Sequence, residues 1–293
     1  MTALLLLSRA VGLVPWRWLR VPGALLGLLV GSILRIRRRQ VEAAMRRAGL
    51  EGVPRTARRM YASLGTALFE FLWMIGRRAS PVFAVRFTPR AEKALARPGV
   101  VIATAHTGNW DLVACATAQG HLPLTVITKR LRARSLDRVW QGERASRGIE
   151  LLDGAGVFGR SIDSISRGRS VAVLIDQAPE RRSAVIEAPF LGETARCDMT
   201  AALLAARTGA HLVLALGCRQ PDGTYLVDAP LVLEPPPRAT GAWSEQATRD
   251  LNAALDRFVR ANPSQWLWLH RRWKALSDTA LPAAQVVLSL GHE

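Results

Sequence analysis

Residues 100–116 read VVIATAHTGNWDLVACA, an apolar run that ends on His106 and a second that opens on Asp111. Imidazole is the side chain whose proton affinity lies nearest neutral pH. A carboxylate that accepts from one ring nitrogen fixes the tautomer and leaves the other nitrogen free as a base. The spacing H-x-x-x-x-D therefore suits a pair that deprotonates a hydroxyl. The pattern is loose, and Asp111 as a simple helix cap with His106 as an ordinary strand-end residue accounts for it as well. Other chemistries have less behind them. There is no G-x-S-x-G elbow for a covalent hydrolase and no second histidine spaced as a metal partner. Cys115, Cys197 and Cys218 form no CxxC pair, so neither a zinc site nor a disulfide framework is indicated, and a reducing setting fits. No cofactor and no metal are expected.

The elements around this pair predict an α/β fold. Short runs rich in Val, Ile and Leu, namely VVIATA, LTVIT, IELL, VAVLID and HLVLALG, alternate with segments long enough for helices. That alternation points to a mostly parallel sheet flanked by helices and buried on both faces. His106 then lies just past the C-terminal end of the first core strand and Asp111 in the first turn of the next helix, where open α/β sheets place their sites. Gly108 between them permits a sharp turn. TYLVDAPLVLE at 224–234 reads as an added strand or hairpin, and PPPR at 235–238 as a loop before a helix near 243–259. The first hundred residues read as helical. They include a basic stretch at 37–48 and a helix at 55–75 with Met60, Leu64, Leu68, Phe71 and Leu72 on one face. The tail after Lys274 carries no clear pattern.

With 293 residues and 49% hydrophobic content the chain can bury a large core. The expected division is a membrane-associated segment at 1–36 and an α/β domain at 37–293. Residues 1–34 are apolar but interrupted by Arg9, Arg17 and Arg20, and they run into RIRRR at 35–39. The uncharged stretch 21–34 falls short of the roughly 20 residues needed to cross a bilayer. Trp16 and Trp18 beside arginines suit an interface. The reading is an N-terminal helical anchor that lies in or dips into a leaflet, with Arg35–Arg39 against anionic headgroups. A buried core helix is the competing reading. A cleaved signal peptide is disfavoured because no basic region precedes the first apolar stretch. The net charge of +17 favours anionic partners. Nucleic acid is not favoured among them, since no reader motif accompanies the charge.

Four blocks in order carry a family resemblance. AHTGNWDL at 105–112 resembles the H-x-x-x-x-[DE] box of the bacterial late lipid A acyltransferases, the lauroyl/myristoyl acyltransferase family. LDRVWQGERASRGIELL at 136–152 is similar to that family's arginine-bearing helix, and 171–195 to its Asp-Gln strand end followed by a Pro-Phe-x-Gly segment. WLWLHRRWK at 266–274 resembles its Trp-x-His-x-Arg close. Departures are Asp111 where glutamate is common and Asp176-Gln177-Ala178 where Asp-Gln-Asp is frequent.

The resemblance implies a glycerolipid-acyltransferase-like fold at the cytoplasmic face of the inner membrane. It implies transfer of a fatty acyl chain from acyl carrier protein, or coenzyme A, to a hydroxyl of a membrane glycolipid. A lipid A precursor is the first expectation for that acceptor and a phosphatidylinositol mannoside the alternative. It makes His106 the general base and Asp111 its orienting partner, with Asn109, Arg144, Asp176, Gln177, His270 and Arg271 contacting substrate. Thioesters are already activated, so a base and a donor pocket suffice. Surplus arginine suits phosphate recognition and an acidic carrier protein. In the closing block, Trp266, Trp268 and His270 alternating on a core strand remain the other reading.

Overall fold

The computed structural model describes residues 2–77, 79–120 and 122–273. Lys274, which ends the closing block, and the tail beyond it lie outside the described residues. The chain begins with helices: α1 (Thr2–Gly12), a 3₁₀ turn at Trp16–Trp18, α2 (Arg20–Leu28) running into a π turn at Leu29–Ile33, α3 (Arg38–Arg47) and the long α4 (Val53–Arg77). α1 and α2 lie along α4. The approach is backbone to backbone because glycines recur on the contact stripe. A Cβ at Gly27 would stand 1.9 Å from the Tyr61 carbonyl oxygen, and one at Gly23 2.5 Å from Thr66 Cα. Leu19 and Val11 are buried in this seam. The opposite side leaves Leu6, Leu13, Trp18, Val21, Leu25, Leu29, Ile33 and Leu34 exposed. Among the described residues no single helix is long and apolar enough to cross a membrane. The segments Leu4–Gly12 and Trp16–Ile33 pass that test only together, bent by 114°.

Beyond α4 the elements are β1 (Val85–Phe87), α5 (Pro89–Leu95), β2 (Val101–Thr104), α6 (Trp110–Gly120), β3 (Leu124–Ile127), α7 (Arg134–Ser146), β4 (Glu150–Leu152), α8 (Val157–Ser166) and β5 (Ser170–Leu174). A hairpin, β6 (Val185–Phe190) and β7 (Glu193–Asp198), leads to α9 (Thr200–Thr208), β8 (Leu212–Arg219), β9 (Tyr225–Leu233) and α10 (Gly241–Ala261). The main sheet has the order β1-β9-β8-β2-β5-β3-β4. Its strands from β8 through β4 are parallel, whereas β9 runs antiparallel to β8 and pairs in parallel with β1. All five apolar runs form strands, and 224–234 supplies β9. β1 and the β6–β7 hairpin were not expected. β1 is only VRF, too short to show a period, and β6 contains Pro189, which demotes a run to an edge position.

Strand alternation feeds two cores. Val101, Ala103, Val171, Val173, Leu212 and Leu214 point to the side covered by α9 and α10. Val100, Ile102, Ala172, Val213 and Ala215 point to the side holding residues of α1, α5 and α6. The chain leaves β2 through α6 toward β3 and leaves β5 through α9 toward β8, so connections diverge on opposite faces. The C-terminal ends of β2 and β5 thus border the crevice where such folds bind ligands.

Candidate active site

In the register of β2 on β5, Thr104 stands opposite Leu174. Carrying that pairing two residues past the strand ends sets His106 beside Asp176. The carboxylate of Asp176 is wholly buried. Its Oδ1 lies 2.9 Å from His106 Nδ1, and its Oδ2 accepts the His106 backbone N–H at 2.9 Å and the Trp266 indole N–H at 2.9 Å. A carboxylate only accepts, so Nδ1 carries a ring hydrogen, and in the neutral ring it is Nε2 that keeps the lone pair. Burial alone would raise the Asp176 carboxyl. The hydrogen bonds from His106, together with its charge when the ring is protonated, outweigh that and hold it below the usual carboxylate range. The His106 ring sits edge-on to Trp110 and His270, at centroid distances of 4.8 and 4.7 Å. A shallow, mainly apolar depression reaches it, lined by Met60, Leu64, Trp110 and Leu267.

His270 is on an irregular segment following a 3₁₀ turn at Pro263–Gln265, so the alternating core-strand reading does not hold. Trp266 and Trp268 are nonetheless core residues, each 1% exposed. Thr107 pairs with Trp266 as an isolated bridge, and Leu267 N–H donates to the His106 carbonyl at 3.1 Å. This clamps the closing segment onto the loop after β2. The Gln177 amide nitrogen lies 3.3 Å from His270 Nε2. Burial first, and then the nearby His106, push His270 down to about 4, so its ring is neutral at pH 7. With Nε2 accepting from Gln177, the ring hydrogen is on Nδ1. His106, Asp176 and His270 each offer a donor atom within 4.8 Å of the others. Three of the roughly four acceptor sites of the Asp176 carboxylate already take N–H donors, an arrangement that suits a hydrogen-bonded cluster.

The bond to the imidazole expected of Asp111 is made by Asp176. Asp111, in the first turn of α6, faces α7 instead. Its Oδ1 accepts from Arg144 Nε at 2.7 Å, and Nη2 of the same guanidinium completes the ion pair. Arg144 also donates to Thr128 Oγ1 at 3.1 Å and Gln141 Oε1 at 3.2 Å. Expected as a substrate contact, it is instead an internal brace between α6, α7 and the end of β3. Asn109 is corrected likewise. It is 3% exposed, its amide nitrogen donates to the Ala67 carbonyl and Glu70, and its oxygen accepts from Leu112 N–H. Every polar atom of that side chain is engaged inside the fold. His270 adjoins His106, and Gln177 reaches it through His270. Arg271 is exposed, whereas its neighbour Arg272 is buried and donates to Asn252 Oδ1 at 3.0 Å and to the Arg196 carbonyl.

Reasoning from sequence missed the Asp176–His106 bond and the part played by Trp266. One signal was there: VIATAH at 101–106 and VAVLID at 171–176 are apolar runs of equal length, each ending on a group that can do acid–base chemistry. Adjacent pairing of the two strands is what that signal lacked.

Residues 2–275 match a family described as bacterial lipid A biosynthesis acyltransferase. Among individual proteins, the chain is 28% identical over 188 residues to a phosphatidylinositol mannoside acyltransferase of Mycolicibacterium smegmatis, covering 61% of this chain and 59% of that protein. It is 29% identical over 183 residues to a protein of the same name from Mycobacterium tuberculosis, covering 60% of this chain and 55% of that one. The match thus spans less than two thirds of the length of these relatives.

Proposed function

Because the chain belongs to the bacterial lipid A biosynthesis acyltransferase family, we propose that it is an O-acyltransferase that moves a fatty acyl chain from a thioester donor to a hydroxyl of a membrane glycolipid. The observation that carries this reading is the His106–Asp176 pair, with Nε2 of His106 free at the end of an apolar depression. The acceptor oxygen attacks the thioester carbonyl while Nε2 takes its proton. The tetrahedral centre then collapses with loss of the thiolate, and His106 returns the proton to the leaving sulfur. An ester forms, a thioester breaks and a thiol is released. Asp176 keeps Nδ1–H in place and stabilises the transient imidazolium. The neutral ring of His270 contributes an N–H beside the base.

The exposed apolar face of α1 and α2, followed at once by Arg35, Arg37 and Arg39, supports attachment to the cytoplasmic leaflet of an inner membrane where such an acceptor resides. The donor in this reading is acyl carrier protein, drawn by the basic surface, with coenzyme A as the other thioester carrier. A lipid A precursor is the acceptor suggested by the family. The names of the mycobacterial relatives favour a second reading, a phosphatidylinositol mannoside. The test is mass spectrometry of lipids formed by the full chain from defined acyl-carrier-protein and coenzyme A thioesters, offered each acceptor in turn. Ester formation that vanishes in His106→Ala supports the proposal. Absence of any acylated lipid from active-folded protein sinks it.

A further inference from the structure

Glu70 lies in the C-terminal third of α4, 1% exposed, and is the meeting point of three hydrogen-bonding side chains. Arg219, at the end of β8, straddles it with both terminal nitrogens, Nη2 to Oε2 at 3.0 Å and Nη1 to Oε1. Tyr225 OH donates to Oε2 at 2.7 Å, and the Asn109 amide donates to the same oxygen at 3.0 Å. A buried ion pair of this kind rarely improves on well-packed apolar side chains for stability, because desolvation offsets the attraction. Its use has to be sought in what it holds.

Each arm ends on the residues that set the dyad. Through Asn109, three residues past His106 in the chain, Glu70 fixes an amide whose oxygen caps Leu112 N–H in the first turn of α6. Tyr225 places its ring under Gly108, which has φ +57°. A Cβ there would meet the ring at 2.9 Å, so ring and turn are fitted to each other. Arg219 clasps the Gln265 side chain with its own backbone, N–H to Oε1 at 2.7 Å and carbonyl to Nε2 at 2.9 Å. The carbonyl of Gln265 accepts Gly108 N–H at 2.8 Å. The next residue, Trp266, donates to Asp176. One carboxylate thus braces the loop that follows His106 and the segment that supports Asp176.

We infer that Glu70 is a positioning residue for the proposed reaction, holding both sides of the His106–Asp176 bond at once and tying them to the helix on which α1 and α2 rest. The inference rests on His106 as the base. It requires Glu70→Gln, which keeps the shape but weakens the hold on Arg219, to misalign the dyad rather than merely loosen the fold.

The experiment compares full-length wild type, Glu70→Gln and Glu70→Gln/Arg219→Gln in detergent micelles. It follows kcat and acceptor KM, thermal unfolding, and the downfield proton signal of His106 Nδ1–H. For Glu70→Gln, kcat falls about tenfold to a hundredfold at unchanged KM, the range seen when outer partners of a reacting group are lost, and the proton signal moves. The double variant, with no unpaired buried charge, regains melting temperature but not kcat. Wild-type kcat in folded Glu70→Gln overturns the inference, as does a kcat that returns with the melting temperature. If Glu70→Gln does not fold, Tyr225→Phe removes one arm alone. A lower kcat with a shifted signal then supports the inference, and no change in either overturns it. Should wild type acylate nothing, the functional proposal fails, while the proton signal still decides whether Glu70 sets the dyad.

Discussion

Trp266 and His106, far apart in sequence, share the carboxylate of Asp176: the indole N–H and the His106 backbone N–H both donate to Oδ2, each at 2.9 Å. Oδ1 is thereby left to the imidazole alone. The result is one tautomer in one orientation, held by a group with no exposure to water.

The first prediction ranks the two aspartates. Asp176→Asn presents an amide that can donate toward Nδ1 and favour the wrong tautomer, so kcat should fall by about 10²- to 10⁴-fold in protein that folds. Asp111→Asn leaves the tautomer alone and takes the charge from the buried partner of half-buried Arg144. Its main effect is then on stability, about 3 kcal/mol in denaturant unfolding, as expected for breaking a buried pair. The reverse ranking in steady-state kinetics would return the orienting role to Asp111.

Trp266→Phe deletes one donor to Asp176 while keeping most of the apolar volume. A lost hydrogen bond to a charged group costs roughly 1.5–3 kcal/mol. Because Asp176 keeps both bonds to His106, kcat should drop only a few-fold. Calorimetry and kinetics on the same sample separate the two effects. A loss of activity as deep as that of Asp176→Asn would mean that the indole itself sets the base.

Acid should weaken the fold in two stages. His270, held to about 4 chiefly by burial, stays unprotonated in the folded chain where its unfolded counterpart, near 6.5, binds a proton. The unfolded state takes up the extra proton, so stability falls as pH drops from about 6.5 to about 4, by roughly 3 kcal/mol in full. His270→Gln should flatten this slope in urea titrations at stepped pH. Asp176 acts in the same direction lower down, since its depressed carboxyl lends stability that is present above about pH 4 and lost below it.

At the N-terminus, attachment and stability should be linked. Full-length chain is expected to float with anionic liposomes at low salt and to remain partly bound at high salt, through the apolar face of α1 and α2. Gly27→Leu, placed where even a Cβ stands 1.9 Å from the Tyr61 carbonyl oxygen, should force α2 off α4. A loss of at least about 3 kcal/mol is expected, at the upper end for overpacking. Deletion of 1–34 uncovers the same surface of α4 and should lower the melting temperature as well as release the protein. A truncated chain as stable as full length would make the segment a detachable anchor.

What the sequence determined by itself is local. Runs such as VAVLID and HLVLALG are short, continuous and apolar, so they read as strands buried on both faces, and the longer segments between them read as helices. His106 at the end of one such run had to stand at the mouth of a parallel sheet. The four motif blocks fixed the family, and Gly108 had to turn. What the sequence could not specify is which strand lies beside which. Asp111 is near His106 along the chain, yet a helix's first turn directs side chains outward around its axis, and this one directs Asp111 to Arg144. Asp176 is seventy residues away along the chain, and only the pairing of β2 with β5 in the register Thr104–Leu174 makes it the neighbour of the imidazole. The Glu70 cluster was hidden for the same reason, since α4, β8, β9 and the loop after β2 meet only once the sheet is assembled. Periodicity carries secondary structure because it is written within one segment. Hydrogen-bond partners across strands depend on sheet order and register, which the packing of both faces decides together.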